Sequence, residues 1–295
     1  MSHKPAAMPA KIIDGRALAA ELRAELVART AALAERGIVP RLKVASVGED
    51  ASSRAYLRGI EKLGAQIGIA VDVDILPDTI DDAGVRKTLD HYGNDDAIHG
   101  VLLQQPLPKH LSIRKIDEAI PPDKDVDGTN PRNLGLLAFA DATRFVPATP
   151  AAVMLLLGES EKSDLRGREV TVIGRSNVIG LPVSLLLIAQ SATVTVVHRG
   201  TKDIRDHTRR AEILIVGAGT PQLVDAEWIR AGATVIDVGT TVVDGKLVGD
   251  VDFASASQIA GEITPVPGGV GPVTNVALMR NVLMAAETTP PEWAI

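Results

Sequence analysis

The sequence predicts an α/β fold in two domains, each carrying parallel strands. Three observations lead there. A length of 295 residues suits about two domains. Short apolar runs alternate with helical segments of about 10–18 residues, the pattern of βαβ units. The alternation also starts afresh after residues 149–157, which places a domain boundary near 145–160.

In order, residues 11–37 read as an opening helix, with Asp14 as N-cap, Leu18, Leu22, Leu26 and Leu33 at helical spacing, and Gly37 as stop. A strand follows over 42–47, a helix from Asp50 to Gly68, a strand over 70–76, a charged helix over 81–92 and a buried strand over 101–103. Residues 121–135, rich in Pro, Asp, Asn and Gly, read as a long functional loop. A helix begins at Thr149–Pro150, followed by strands over 169–173, 193–197, 213–216 and 234–238, a helix over 178–188 and a last helix over 273–286.

Composition excludes several classes. The formal charge of -6 and the lack of a basic run argue against nucleic acid. With no cysteine there is no disulfide or thiolate metal site, and no metal centre is expected. Residues 1–10 lack the apolar stretch of a signal peptide, and the apolar run 181–189 is too short to span a membrane. The expectation is a soluble, cytoplasmic protein.

The chemistry is legible at the strand ends. The strand closing at Ile173 runs into Gly174-Arg-Ser-Asn-Val-Ile-Gly180 and then an apolar helix. Glycine at a strand end permits a tight turn, and a following helix N-terminus favours an anion such as pyrophosphate. Spacing alone leaves open a glycine-rich turn with no ligand. The next strand ends at His198-Arg-Gly-Thr201, where a dinucleotide fold selects its ribose. Arg199 stands there instead of an acid, and with Arg175 it suits a 2′-phosphate, so NADP is preferred over NAD. Two solvated arginines are the alternative. Gly217-Ala218-Gly219 and Val238-Gly239 mark two further strand ends, where a nicotinamide ribose could approach the backbone. Three glycine-marked strand ends along one sheet edge are more than one turn would supply, and they make a Rossmann-like nucleotide-binding domain the expectation.

Four strings together resemble the methylenetetrahydrofolate dehydrogenase/cyclohydrolase family. They run from Gly100 to Pro108 (GVLLQQPLP), Lys124 to Gly128 (KDVDG), Val172 to Pro182 (VIGRSNVIGLP) and Thr264 to Thr274 (TPVPGGVGPVT). The resemblance covers about Lys11 to Met284. It implies a substrate domain of residues 1–148 plus 273–295 and an NAD(P) domain of residues 149–272, with a cleft between them and the last helix returning to the first domain. It implies homodimers joined through the NAD(P) domains. It also implies hydride transfer from 5,10-methylenetetrahydrofolate to NADP, then hydration of the methenyl cation to 10-formyltetrahydrofolate. Carried over residue by residue, Ser53, Tyr56, Gln104 and Asp127 contact the substrate, with Pro267, Gly268 and Gly271. Tyr56, Gln104 and Asp127 form the catalytic set. Gly174, Arg175, Ser176, Ile179, Gly180, His198, Arg199, Thr201, Gly217, Ala218, Gly219, Gly239, Thr240 and Thr274 hold the cofactor.

One departure bears on mechanism. The family places Lys four residues after the Tyr of its active-site helix; here that position is Ile60. Four residues on a helix leave the two positions about 40° apart, on one face. Lys62 lies about 240° round from Tyr56, and Arg58 also points away. Tyr56, Ile60, Leu63 and Ile67 read as one apolar stripe. Lesser departures are Ala148 for a family Cys and Gln105 for Leu. Hydride transfer needs no proton transfer, whereas water attack needs a base or relay. The expectation is therefore a dehydrogenase with weak or absent cyclohydrolase. The alternatives are a bifunctional enzyme, a catalytically silent folate- or nucleotide-binding protein, and a dehydrogenase of another reduced pterin.

Overall fold

The structure, a computed structural model, describes residues 10–48, 51–139 and 145–287, without the side chains at 51, 52, 55, 114 and 117. Asp50 as helix start and the reading of residues 1–9 lie outside the described residues. The elements are β1 (Lys11–Ile12), α1 (Gly15–Glu35), β2 (Arg41–Val47), α2 (Ala51–Ile67), β3 (Ala70–Leu76), α3 (Asp82–Gly93), β4 (Gly100–Leu103), α4 (Ile113–Ile116) and α5 (Pro131–Ala138). Then come α6 (Ala148–Gly158), β5 (Glu169–Ile173), α7 (Gly180–Ala189), β6 (Thr193–Val197), α8 (Ile204–Thr208), β7 (Ile213–Val216) and β8 (Thr234–Asp237). The chain closes with β9 (Thr241–Val243), β10 (Lys246–Val248), α9 (Phe253–Ala256), β11 (Glu262–Ile263) and α10 (Val270–Ala286).

The chain divides into two compact units, residues 1–19 with 149–274 and residues 20–148 with 275–295. The first holds a parallel six-stranded sheet in the order β1-β11-β8-β7-β5-β6. Its inner strands β7 and β8 are buried along their whole length, as a sheet covered on both faces requires. The order reverses at β5, whose neighbours are β6 on one side and β7 on the other. In such sheets a ligand binds at the carboxyl ends beside that switch point. The second unit holds the parallel sheet β3-β2-β4, whose core packs Val85 and Leu89 of α3 with Ala45, Val101 and Leu103.

Several boundaries differ from expectation. Residues 11 and 12 are strand, because Lys11 and Ile12 pair with Glu262 and Ile263. This puts residues 10–19 with the unit holding β5–β8, whereas the expectation placed them with the substrate domain. Helix α1 starts after Asp14, whose carboxylate accepts from the amides of Arg16 (2.9 Å) and Ala17 (3.2 Å). Within the stretch read as a loop over 121–135, α5 begins at Pro131, capped by Asn130 on the amide of Arg132 (2.8 Å). The β9–β10 hairpin, turned by Asp244-Gly245 at φ 49° and 74°, went unread although Asp-Gly is a strong hairpin signal.

Candidate active site

In the first unit, four strand ends line up as β6, β5, β7 and β8. Gly174 donates to Val197 O (2.9 Å), and Gly217 donates to Ile173 O (2.9 Å). At φ 115°, Gly174 holds a conformation that side chains rarely adopt. A Cβ there would lie 2.2 Å from Gly217 O, and one at Gly180 would lie 2.2 Å from Gly174 O. At Gly174 and Gly180 backbone therefore meets backbone, and Gly217 supplies the carbonyl that Gly174 faces. The loop is closed by Ser176, whose Oγ accepts from Ile179 N (3.2 Å) and whose carbonyl accepts from Leu181 N (3.0 Å). Helix α7 then starts at Gly180 and buries Val183, Ser184 and Leu187.

Arg175 and Arg199 are exposed at the ends of the adjacent strands β5 and β6. Neither has an ion pair or hydrogen bond among the described residues. His198 and Thr201 build the turn that carries Arg199. His198 N donates to Thr201 Oγ1 (3.0 Å), Thr201 N donates to His198 O (2.7 Å), and Gly200 N donates to His198 Nδ1 (3.1 Å). A cradle that excludes side chains beside two uncommitted guanidinium groups fits a phosphorylated dinucleotide.

Gly239 is buried at the end of β8 and Thr240 beside it is exposed. Asp237 accepts from Gly239 N (3.0 Å), Asp250 N (3.1 Å) and Val251 N (3.0 Å). No motif in the sequence flagged it. Burial pushes its carboxyl up to about 6, the three amides oppose that, and the charge of Asp250 adds to it. Its folded value exceeds the unfolded value of about 3.9, so the folded state holds this proton more tightly. The stability it contributes is fully present below the unfolded value and is lost as pH rises through about 6. The advantage of wild type over Asp237→Asn in unfolding free energy should therefore shrink between about pH 4 and 6 and stay level above. Urea titrations of both proteins across that range measure it.

Pro267, Gly268 and Gly271, expected to contact substrate, belong to the first unit. Their loop follows β11 and packs on the start of α1, where a Cβ at Gly15 would lie 1.9 Å from Gly269 O. Gly271 has open space around it. Thr274 Oγ1 donates to Val270 O (3.1 Å) within α10.

The second unit carries the other set. Its α2 buries Ser53, Leu57, Ile60, Gly64 and Ile67. The buried stripe is thus rotated from the expected one: Leu63 is half-buried and Tyr56 is 36% exposed at the stripe's edge. Ile60 is 0% exposed, at the stripe's centre, while Arg58 and Lys62 are exposed. The Tyr56 phenol is pushed well above its ordinary value, first by desolvation and second by the negative charge of Asp127. Near neutral pH it is a hydrogen-bond donor and no base.

Asp127 is half-buried in the segment after the bridge between Val101 and Asp125. The loop-organising role belongs to its neighbour Asp125. This buried carboxylate accepts from Asn130 N (2.8 Å), Thr129 N (3.1 Å) and Asn133 Nδ2 (2.8 Å). Asn281 of α10 donates to Val126 O (2.8 Å) and Val146 O (2.9 Å), tying both ends of the loop. Sequence reasoning missed Asp125, Asn130, Asn133 and Asn281; the Asn130-Pro131 helix start was the available signal. Gln104 follows β4, its amide donating to Ala45 O (2.8 Å) and its side chain to Gln105 O (2.6 Å).

Comparison with known proteins supplies the family. Residues 13–127 match the tetrahydrofolate dehydrogenase/cyclohydrolase catalytic domain, and residues 147–290 match the NAD(P)-binding domain of the same family. The chain is 47% identical over 283 residues to the bifunctional protein FolD of Bordetella avium, covering 96% of this chain and 99% of that protein. The crystal structure of the bifunctional enzyme FolD from Campylobacter jejuni is 38% identical, with a TM-score of 0.91 over 94% of this chain and 98% of that one. A methylenetetrahydrofolate dehydrogenase-cyclohydrolase from Trypanosoma brucei, complexed with NADP and an inhibitor, is 40% identical with a TM-score of 0.90 over 95% of this chain and 98% of that one. With both domains matched along most of its length, this two-domain α/β chain belongs to the tetrahydrofolate dehydrogenase/cyclohydrolase family.

Proposed function

We propose that the chain is an NADP-dependent 5,10-methylenetetrahydrofolate dehydrogenase. The observation that carries this is the glycine cradle of Gly174, Gly180 and Gly217, flanked by Arg175 and Arg199, in a chain of this family. The Trypanosoma brucei relative is complexed with NADP, which supports the same choice of nicotinamide. When bound, the nicotinamide supplies the hydride acceptor. The chain's own groups do the rest. Arg175 and Arg199 offer charge-assisted contacts to a 2′-phosphate. Asp127 supplies negative charge to the N–C–N unit as it becomes a cation, and Tyr56 stays a neutral donor. Turnover of methylenetetrahydrofolate with NADP and with NAD tests the reading, and no reduction of either overturns it. Turnover only with another reduced pterin would reassign the substrate.

Arg199→Ala should raise KM for NADP about 10- to 100-fold, the worth of a hydrogen bond to a charged group, and leave KM for NAD within about threefold. Paired kinetics with the two nicotinamides measure this.

On the second activity the comparisons favour the bifunctional reading, because the relatives carry bifunctional names. Loss of cyclohydrolase finds its support in Ile60 alone. Decay of the methenyl product, followed in the same cuvette, separates the two.

The homodimer expected from the resemblance is also proposed. Leu181 and Ile188 on α7, Val196 on the edge strand β6, and Val242, Val243 and Leu247 on the hairpin all expose apolar surface in the first unit. Sedimentation equilibrium should give twice the chain mass. The cytoplasmic location is a proposal that cell fractionation tests; among the described residues no helix is long and apolar enough to cross a membrane.

A further inference from the structure

Asp237 and Asp250 stand outside every motif read from the sequence, and both are buried. Asp237 is the last residue of β8 and binds the backbone of Gly239, Asp250 and Val251. Asp250 in turn reaches the neighbouring strand end. Its Oδ2 accepts from Ala218 N and from Gly219 N, each at 2.7 Å. Burial pushes the Asp250 carboxyl up, and the amides of Gly219, Ala218 and Thr220 oppose that. Successive N–H groups converging on one carboxylate make an anion nest. Here a side chain of the protein fills it.

Two glycines make room for the pair. A Cβ at Gly239 would lie 2.2 Å from Asp250 Cγ, and one at Gly249 would lie 1.9 Å from Asp237 Oδ2. The arrangement is expensive. Asp250 is 0% exposed, and its Oδ1 is buried without a hydrogen-bond partner. A buried oxygen without a partner destabilises the fold, and apolar packing would often stabilise a core better. What the carboxylates deliver is position. They link Ala218 and Gly219 to Gly239 across the ends of the adjacent strands β7 and β8.

We propose that Asp237 and Asp250 are positioning residues that hold the strand-end backbones at 217–220 and 238–239 in the form that receives the nicotinamide half of the cofactor. The inference rests on the dinucleotide reading above. Neither carboxylate takes part in hydride transfer.

Direct titration of NADP into wild type, Asp250→Ala and Asp250→Asn tests it, with amide hydrogen exchange at 217–220 measured without cofactor. Asp250→Ala should weaken NADP binding tenfold or more and speed exchange at 218–220, while kcat at saturating NADP changes less than threefold. Asp250→Asn keeps an oxygen for both amides and should stay within about threefold of wild-type affinity. A merely structural role would lower the melting temperature and leave the affinity of folded protein unchanged, and that result overturns the proposal. So does Asp250→Asn binding as weakly as Asp250→Ala. Should Asp250→Ala fail to fold, Gly239→Ala displaces the same carboxylate with a methyl group. Unchanged exchange at 218–220 in that variant also overturns the proposal. Wild type that binds no nicotinamide nucleotide defeats the dinucleotide reading and this inference with it; wild type that binds while the variants bind equally defeats the inference alone.

Discussion

Gly174→Ala is expected to abolish NADP binding, weakening it by at least about 100-fold, and to lower stability by about 3 kcal/mol. Two separate strains add at this residue. Its φ of 115° lies where a side chain is disfavoured. The new methyl carbon would also stand 2.2 Å from Gly217 O, a backbone atom with no rotamer to escape into. Relief requires the β5 and β7 strand ends to part, which opens the Gly217 N to Ile173 O bond of 2.9 Å. The cradle and the sheet edge are thus disturbed together. Calorimetric titration of NADP and thermal melts measure the two effects. Retained affinity would show that the loop is a turn without a ligand. Gly219→Ala provides contrast: its φ of 66° is strained, yet a Cβ there meets nothing within 4 Å. It should cost only about 1 kcal/mol.

Ile60→Lys is expected to accelerate methenyltetrahydrofolate hydrolysis by about 10²- to 10⁴-fold over wild type, the usual contribution of a positioned acid or base. Burial sharpens this expectation. Ile60 has no exposed surface, so a lysine there is desolvated and its neutral, basic form is favoured. Tyr56 cannot substitute, because burial and Asp127 keep its phenol protonated. The variant should lose stability by about 2–5 kcal/mol, since an amine replaces packed methyl groups between Leu57 and Gly64. Stopped-flow decay of the methenyl absorbance, beside a thermal melt, measures both. Wild type already hydrolysing well above the spontaneous rate would sink the Ile60 argument and leave the bifunctional reading standing. A folded variant with no gain would show that the surrounding pocket has changed as well.

How much was legible differs by residue. The strands Glu169–Ile173, Thr193–Val197, Ile213–Val216 and Ala70–Leu76 stand where the apolar runs placed them. Short runs rich in Val, Ile and Thr, either continuous or alternating with polar residues, carry their own boundaries. Helix α2 was legible as an element, but its buried face was read about one residue off. A tyrosine counts as apolar in a pattern, yet its polar tip keeps it at the stripe's edge. Strand β1 was absorbed into a helix because two residues carry no periodicity, and only their pairing with β11 defines them.

The alternation of strands and helices, the glycines at the strand ends, the two arginines beside them and the isoleucine at the lysine position are all readable from residue order. Each is a local property, set by residue type and spacing within a few positions. Which carboxylates bind backbone amides became visible in three dimensions. Asp125 and Asp127 are two residues apart in one string, yet Asp125 is buried and accepts from the amides of its own loop while Asp127 is half-buried. Asp237 and Asp250 are 13 positions apart and meet through the backbone between adjacent strand ends. The physical reason is the same in each case: a carboxylate's role depends on which N–H groups converge on it, and those are brought by chain segments that no short spacing connects.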